Sequence, residues 1–102
     1  MDKRCAHYDL VRVKKAISDK GYLAFTKTAR ESIRSMGLTL DTALRVVAGL
    51  SDSCLYKSMT THADHRIWQD VYHAPTPAGM AYIKITLRDD GAIVISFKRL
   101  EP

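Results

Sequence analysis

At 102 residues the chain makes a single domain, residues 1–102, with a modest core and no room for a second. Sixteen Lys and Arg against eleven Asp and Glu leave a net charge of +5, spread along the whole length, which favours a basic face that meets a polyanion such as RNA. Nothing reaches the roughly 18 consecutive apolar residues of a membrane-spanning helix, and repeats and low-complexity tracts are absent.

The N-terminus, M-D-K-R-C-A-H-Y, lacks the apolar run of a secretory leader. Cys5 and Cys54 form no C-x-x-C motif and fit a reducing cytoplasm, which is the expected location. From Tyr8 to Lys20, Leu10, Val13 and Ile17 recur near helical spacing, with Arg12, Lys14 and Lys15 on other faces, and Gly21 stops the helix. Tyr22 to Phe25 is short, aromatic and apolar, and reads as a brief strand. Thr26 or Thr28 caps a second helix that runs to about Met36, where Gly37 supplies the left-handed position. Thr39 or Asp41 opens a third, whose apolar face is Ala43, Leu44, Val47 and Leu50. Ser51 and Asp52 start one more short turn, which carries Cys54, Leu55 and Tyr56.

The period then changes. Ile67 to Tyr72 is aromatic and branched, hence a strand, and His73 to Gly79, with its two prolines and a glycine, reads as a loop or wide connection. Ala81 to Arg88 alternates, with Ala81, Ile83, Ile85 and Leu87 on one face and Tyr82, Lys84, Thr86 and Arg88 on the other. Ala92 to Lys98 puts Ile93, Ile95 and Phe97 on one face and Val94, Ser96 and Lys98 on the other. Helices first and an antiparallel meander after predict an α+β fold: three helical segments on one face of a small antiparallel sheet of about four strands, the other face open to solvent. Asp89-Asp90-Gly91 marks the last turn. A three-residue loop there pairs Arg88 with Ala92 and sets Ile83 against Phe97, Ile85 against Ile95 and Leu87 against Ile93 on the buried face. A two-residue loop mixes polar and apolar residues on both faces, so the three-residue loop is expected. The same register puts Tyr82 opposite Lys98 and Lys84 opposite Ser96 on the open face.

One stretch, Tyr56 to Tyr72, does not read as core. It holds the only tryptophan, Trp68, and crowds Lys57, Ser58, Thr60, Thr61, His65, Gln69 and Asp70 together. Polar, aromatic and basic at once, it suits a surface that grips phosphates and bases; the blander reading is a turn, a loop and an edge strand. His62-x-x-His65 with Asp64 lacks a third metal ligand at good spacing, so no metal and no cofactor are expected. A serine-hydrolase motif such as G-x-S-x-G is missing too.

The stretch also carries a resemblance. K-S-M-T-T at Lys57–Thr61 and D-H-R-I-W-Q-D-V-Y at Asp64–Tyr72 resemble the signature of the MqsR family, the motility quorum-sensing regulator toxins of bacterial toxin–antitoxin systems. The opening M-D-K-R-x-x-H, the segment G-L-S-D-S-x-x-Y-K-S-M-T and the closing Y-I-K-I-T-L … I-V-I-S-F-K are similar to it, so the resemblance runs nearly end to end. It implies an mRNA interferase, a small sequence-selective endoribonuclease on a RelE-like fold, with mRNA as substrate and a cognate antitoxin as partner. Metal-free cleavage of this kind needs a base for the ribose 2′ proton, a cation for the pentavalent oxyanion and an acid for the leaving 5′ oxygen. The resemblance implies Lys57, Gln69, Tyr82 and Lys98 as the catalytic group. Gln69 shares its alternation with Ile67 and Val71, which points it inward unless a bulge re-aims it.

His7, which matches the family opening, Tyr56, Lys84, Arg88 and Arg99 are assigned to RNA contact. Each choice has a plainer counterpart: Tyr82 as an edge aromatic, Lys98 as a charge guarding a sheet edge, Lys57 as a helix-end cation. Trp68 is expected in the core and not as a base-stacking platform. Three functions compete: a metal-independent endoribonuclease toxin, a non-catalytic RNA-binding module, and a co-regulator that only tunes its antitoxin's DNA binding. The antitoxin is expected to add a strand at an exposed edge, near Leu23 or along Ile67 to Tyr72.

Overall fold

A computed structural model of the chain describes residues 1–89 and 91–101. Three helices form where capping residues start them. α1 (Leu10–Lys20) begins on Asp9, whose carboxylate accepts the Arg12 N–H at 3.3 Å. α2 (Lys27–Ser35) begins on Thr26, which accepts from Ala29 at 3.1 Å, and α3 (Leu40–Ala48) on Thr39, which accepts from Thr42 at 3.1 Å. Gly21 and Gly37 follow the first two helices at φ +63° and +80°, backbone that a Cβ disfavours. Among the described residues no helix is long and apolar enough to cross a membrane.

Five strands follow one another across one sheet in chain order: β1 (Asp2–Lys3), β2 (Leu55–Thr60), β3 (Trp68–Thr76), β4 (Gly79–Arg88) and β5 (Gly91–Arg99). Every neighbouring pair is antiparallel. Val13 and Ile17 of α1, Ala29 and Ile33 of α2, and Ala43 and Val47 of α3 close on Tyr72, Ile83, Ile85, Val94 and Phe97 of the sheet, all of them buried. The fold is α+β with the helices on one face, as expected, and the sheet has one strand more than expected.

Several local expectations are corrected. Tyr22 to Phe25 is not a strand: Gly21–Ala24 forms a 3₁₀ turn, and only Phe25 makes a single parallel bridge, to Val94. Leu55 and Tyr56 belong to β2 and not to a helical turn, so Lys57 is a strand residue and not a helix-end cation. His73 to Thr76 continues β3, and Thr76 pairs with Gly79 across a tight turn. The Thr76 hydroxyl closes that turn by accepting the Ala78 N–H at 3.0 Å and donating to the Gly79 carbonyl at 2.7 Å. Pro75 is exposed and lies beyond Tyr72, the last β3 residue paired with β2, so that side of the strand carries no ladder for it to break.

The β4–β5 register holds where it matters for the open face and slips near the turn. Tyr82 pairs with Lys98, Ile83 with Phe97 and Lys84 with Ser96, as expected. Beyond a bulge, Ile85 pairs with Val94, Leu87 with Ala92 and Arg88 with Gly91, so the expected Ile85–Ile95, Leu87–Ile93 and Arg88–Ala92 pairs do not form. Ile95 is the extra residue, and its carbonyl accepts the Thr26 hydroxyl at 3.0 Å. Val94 and Ala92 therefore take the buried positions, and Ile95 and Leu87 stay partly exposed. The expected loop includes Asp90, which lies outside the described residues.

Neither edge proposed for an added strand is free. β3 is flanked by β2 and β4, and Leu23 lies in the 3₁₀ turn.

Candidate active site

The uncovered face of the sheet is built in rows. His73, Tyr82 and Lys98 stand side by side across β3, β4 and β5. The next row is Lys57, Val71, Lys84 and Ser96, across β2 to β5. Met59 and Gln69 begin a third. Rows are about 7 Å apart along the strands and neighbours within a row about 5 Å. Lys57, Gln69, Tyr82 and Lys98 thus come one each from four consecutive strands and share one face.

Gln69 reaches that face without a bulge in β3, against the expectation that alternation turns it inward. Val71 is its row-mate in parity, and Val71 is an apolar residue buried on the open side, between Lys57 and Lys84. The residue turned toward the helices is Asp70. Its carboxylate is buried and accepts the backbone N–H groups of His7 and Tyr8, each at 3.0 Å. Gln69 sits two rows, about 13 Å along the strand, from His73 and Tyr82, and so serves the Lys57–Lys84 row more directly.

Side-chain contacts tighten the first row. The Lys98 ammonium is 5.2 Å from the Tyr82 ring centre and that of Lys84 is 5.9 Å away. Burial, and then Tyr56, push the Tyr82 phenol above its ordinary pKa, so it remains a proton donor. Burial, and then the charge on Lys98, lower the pKa of Lys84. A bulge between Leu55 and Lys57 lifts Tyr56 onto His73, with ring centres 4.4 Å apart and planes 17° apart. Lys57 lies 3.5 Å from the Asp2 carboxylate.

The residues assigned to RNA contact divide. Tyr56, Lys84 and Arg99 are at or beside the first row. His7 lies off the rows: its ring stacks on Trp68 at 4.9 Å, and Lys3 reaches its Nδ1 at 3.0 Å. Partial burial, and then Lys3, lower the His7 pKa, opposed by Asp70. Trp68 is half-buried, capped by His7 and by the Lys3 ammonium 4.2 Å above it, and is not a core residue. Arg88 is six residues along β4 from Tyr82, about 20 Å away, and lines a groove with Arg12 and Lys15 of α1 instead. The Asp64 carboxylate is engaged by Arg66 at 3.1 and 3.2 Å. His73, expected in a loop, is a strand residue of β3. Its alternation with Val71 and Gln69 was the available signal, and the prolines after it masked that.

Residues 5–99 match the family described as "Motility quorum-sensing regulator, toxin of MqsA". The chain belongs to this toxin family. It is similar to the "mRNA interferase toxin MqsR" of Escherichia coli (strain K12), 43% identical over 98 residues, which cover 96% of this chain and 98% of that protein. The matched segment takes in all of β2 to β5, and so all four residues of the candidate catalytic group.

Proposed function

We propose that the chain is an mRNA interferase toxin: a metal-independent endoribonuclease that cuts mRNA by attack of a ribose 2′-OH on the adjacent phosphorus, arrests translation and growth, and is held in check in the cytoplasm by a cognate antitoxin. The observation that carries this is the convergence of Lys57, Gln69, Tyr82 and Lys98 on one uncovered face of a family member whose relative is named an mRNA interferase. The face offers each group the reaction needs. Lys84 is the amine whose charge burial and Lys98 disfavour, lowering its pKa from lysine's ordinary value, which suits it better than a free lysine to take the 2′ proton. Lys98 is the cation placed to steady the phosphorane. Tyr82, kept protonated, donates to a phosphate oxygen or to the leaving 5′ oxygen. Lys57 and Gln69, in the rows beyond, orient the phosphate.

Cleavage of a short RNA under single-turnover conditions tests this, with binding measured on a 2′-deoxy analogue. Lys98→Ala and Tyr82→Phe should each lose at least ~10²-fold in cleavage, while affinity falls far less. Cleavage should persist in excess chelator. Near wild-type cutting by both folded variants places the chemistry elsewhere, and equal loss of binding and cutting makes these residues a grip only.

A further inference from the structure

A groove of about 520 Å³ lies off the rows, between α1 and the end of the β4–β5 hairpin. Arg12, Lys15 and Asp19 line it from the helix, and Leu87, Arg88 and Asp89 from the hairpin. Lys15 and Asp19 are paired at 2.8 Å, so that acid is already engaged. The guanidiniums of Arg12 and Arg88 meet no hydrogen-bond or ion-pair partner among the described residues, and both residues are exposed. Lys20 lines the adjoining hollow, and among the described lining residues cations outnumber acids. Arg88 also ties the groove to the site. It follows Tyr82 and Lys84 on β4 with the same parity, so the strand that carries two members of the open face delivers Arg88 to α1.

We propose that this groove is a phosphate exosite, in which Arg12 and Arg88 hold the backbone of the RNA that flanks the cleaved step. The inference rests on the endoribonuclease reading, which makes single-stranded RNA the polyanion that meets this surface. A guanidinium is weakly hydrated, and its paired N–H donors fit a phosphate. Two of them lining one groove, neither paired with a carboxylate, favour an anion there. Arg88 is about 20 Å from Tyr82 along β4, and a stacked strand advances about 3.4 Å per phosphate. The exosite therefore lies about six stacked nucleotides from the cleaved step, and an extended strand reaches it in fewer. It serves affinity for long RNA and takes no part in the chemistry.

Salt-dependent binding of RNA analogues with a single 2′-deoxy sugar at the cleaved step tests this. A short analogue carries about two nucleotides on each side, and longer ones add about eight on one side or the other. On one side the extension should steepen the salt slope by about 1.4, for two phosphates at about −0.7 each. Arg12→Ala with Arg88→Ala should abolish that gain, so that the long analogue loses affinity and the short one loses far less. Arg12→Lys with Arg88→Lys, which keeps the charge, should keep most of the gain. Removing two exposed cations of α2, by Lys27→Ala with Arg34→Ala, should leave the gain intact. An extension that adds no slope overturns the exosite, and that arm is read on the unaltered protein. A gain that survives the loss of both arginines, or that falls equally in the α2 variant, overturns it too. A chain that shows the one-sided gain but cuts no RNA overturns the endoribonuclease reading alone.

Discussion

Lys84 is the side chain on which the open face acts most directly. Burial and Lys98 both disfavour its charge. If it is the base, the neutral amine is the active form. Cleavage should then rise with pH and level off once pH passes the Lys84 pKa, below lysine's ordinary 10.5. Lys84→Arg should lose the rising limb and cut ~10²–10⁴-fold more slowly. In the residual activity of Lys98→Ala the limb should move to higher pH, because a lowering charge is gone; the larger cause, burial, remains. Single-turnover pH profiles measure both. Tyr72 makes a different point. Its hydroxyl is buried with no hydrogen-bond partner among the described residues. Burial first, then the nearby Asp70, Asp52 and Cys54, raise its pKa. Tyr72→Phe should therefore stabilise the fold by about 1 kcal/mol or more, read by urea melting, since a buried unsatisfied group costs ~1–3 kcal/mol. Residues such as Tyr82 and Lys98 were legible because clean alternation fixes a face. Val71 and Asp70 were not, because each sits on the face its polarity argues against. Asp70 is stable inside only through two N–H donors from a segment some sixty residues away, and no local pattern announces that.

Among elements, the N-terminal segment depends on that carboxylate. β1, the Lys3–His7–Trp68 stack and the approach to α1 are all tied near Asp70. Asp70→Ala should cost at least ~1–3 kcal/mol by stranding the two donors. The loss should be largest in residues 2–8, which hydrogen exchange resolves. Asp70→Asn, which keeps an acceptor oxygen, should cost less. The helices and their caps were readable from Thr26, Thr39 and the glycines, because capping is local chemistry. The Tyr22 segment and the end of β3 were not. Aromatic composition alone does not provide a pairing partner for Tyr22, and Pro75 and Pro77 hid a strand that needs no donor on its exposed side. The bulge at Ile95 was equally hidden, since it answers a hydroxyl on Thr26, far away in sequence.

For the whole molecule, the helices on one face leave the other free for a polyanion, and the net charge of +5 favours that encounter. Affinity for single-stranded RNA should fall log-linearly with salt, with a slope of about −0.7 for each phosphate neutralised. Two to three phosphates on Lys57, Lys98 and Arg99 would give a slope of roughly −1.4 to −2.1. A flat dependence would mean that the cationic face is not the RNA track.

On the proposed assignment, the five catalytic side chains, Lys57, Gln69, Tyr82, Lys84 and Lys98, come from four adjacent strands, and that makes activity a property of assembly. A chain emerging from its N-terminus carries Lys57, Gln69 and Tyr82 before Lys98 exists, and it stays mute until β5 docks beside β4. A one-residue slip between any two of these strands turns a member of the set toward the helices. Such a toxin has no half-active folding intermediate. A partner that pried a single strand out of register would silence it as completely as one that covered the face.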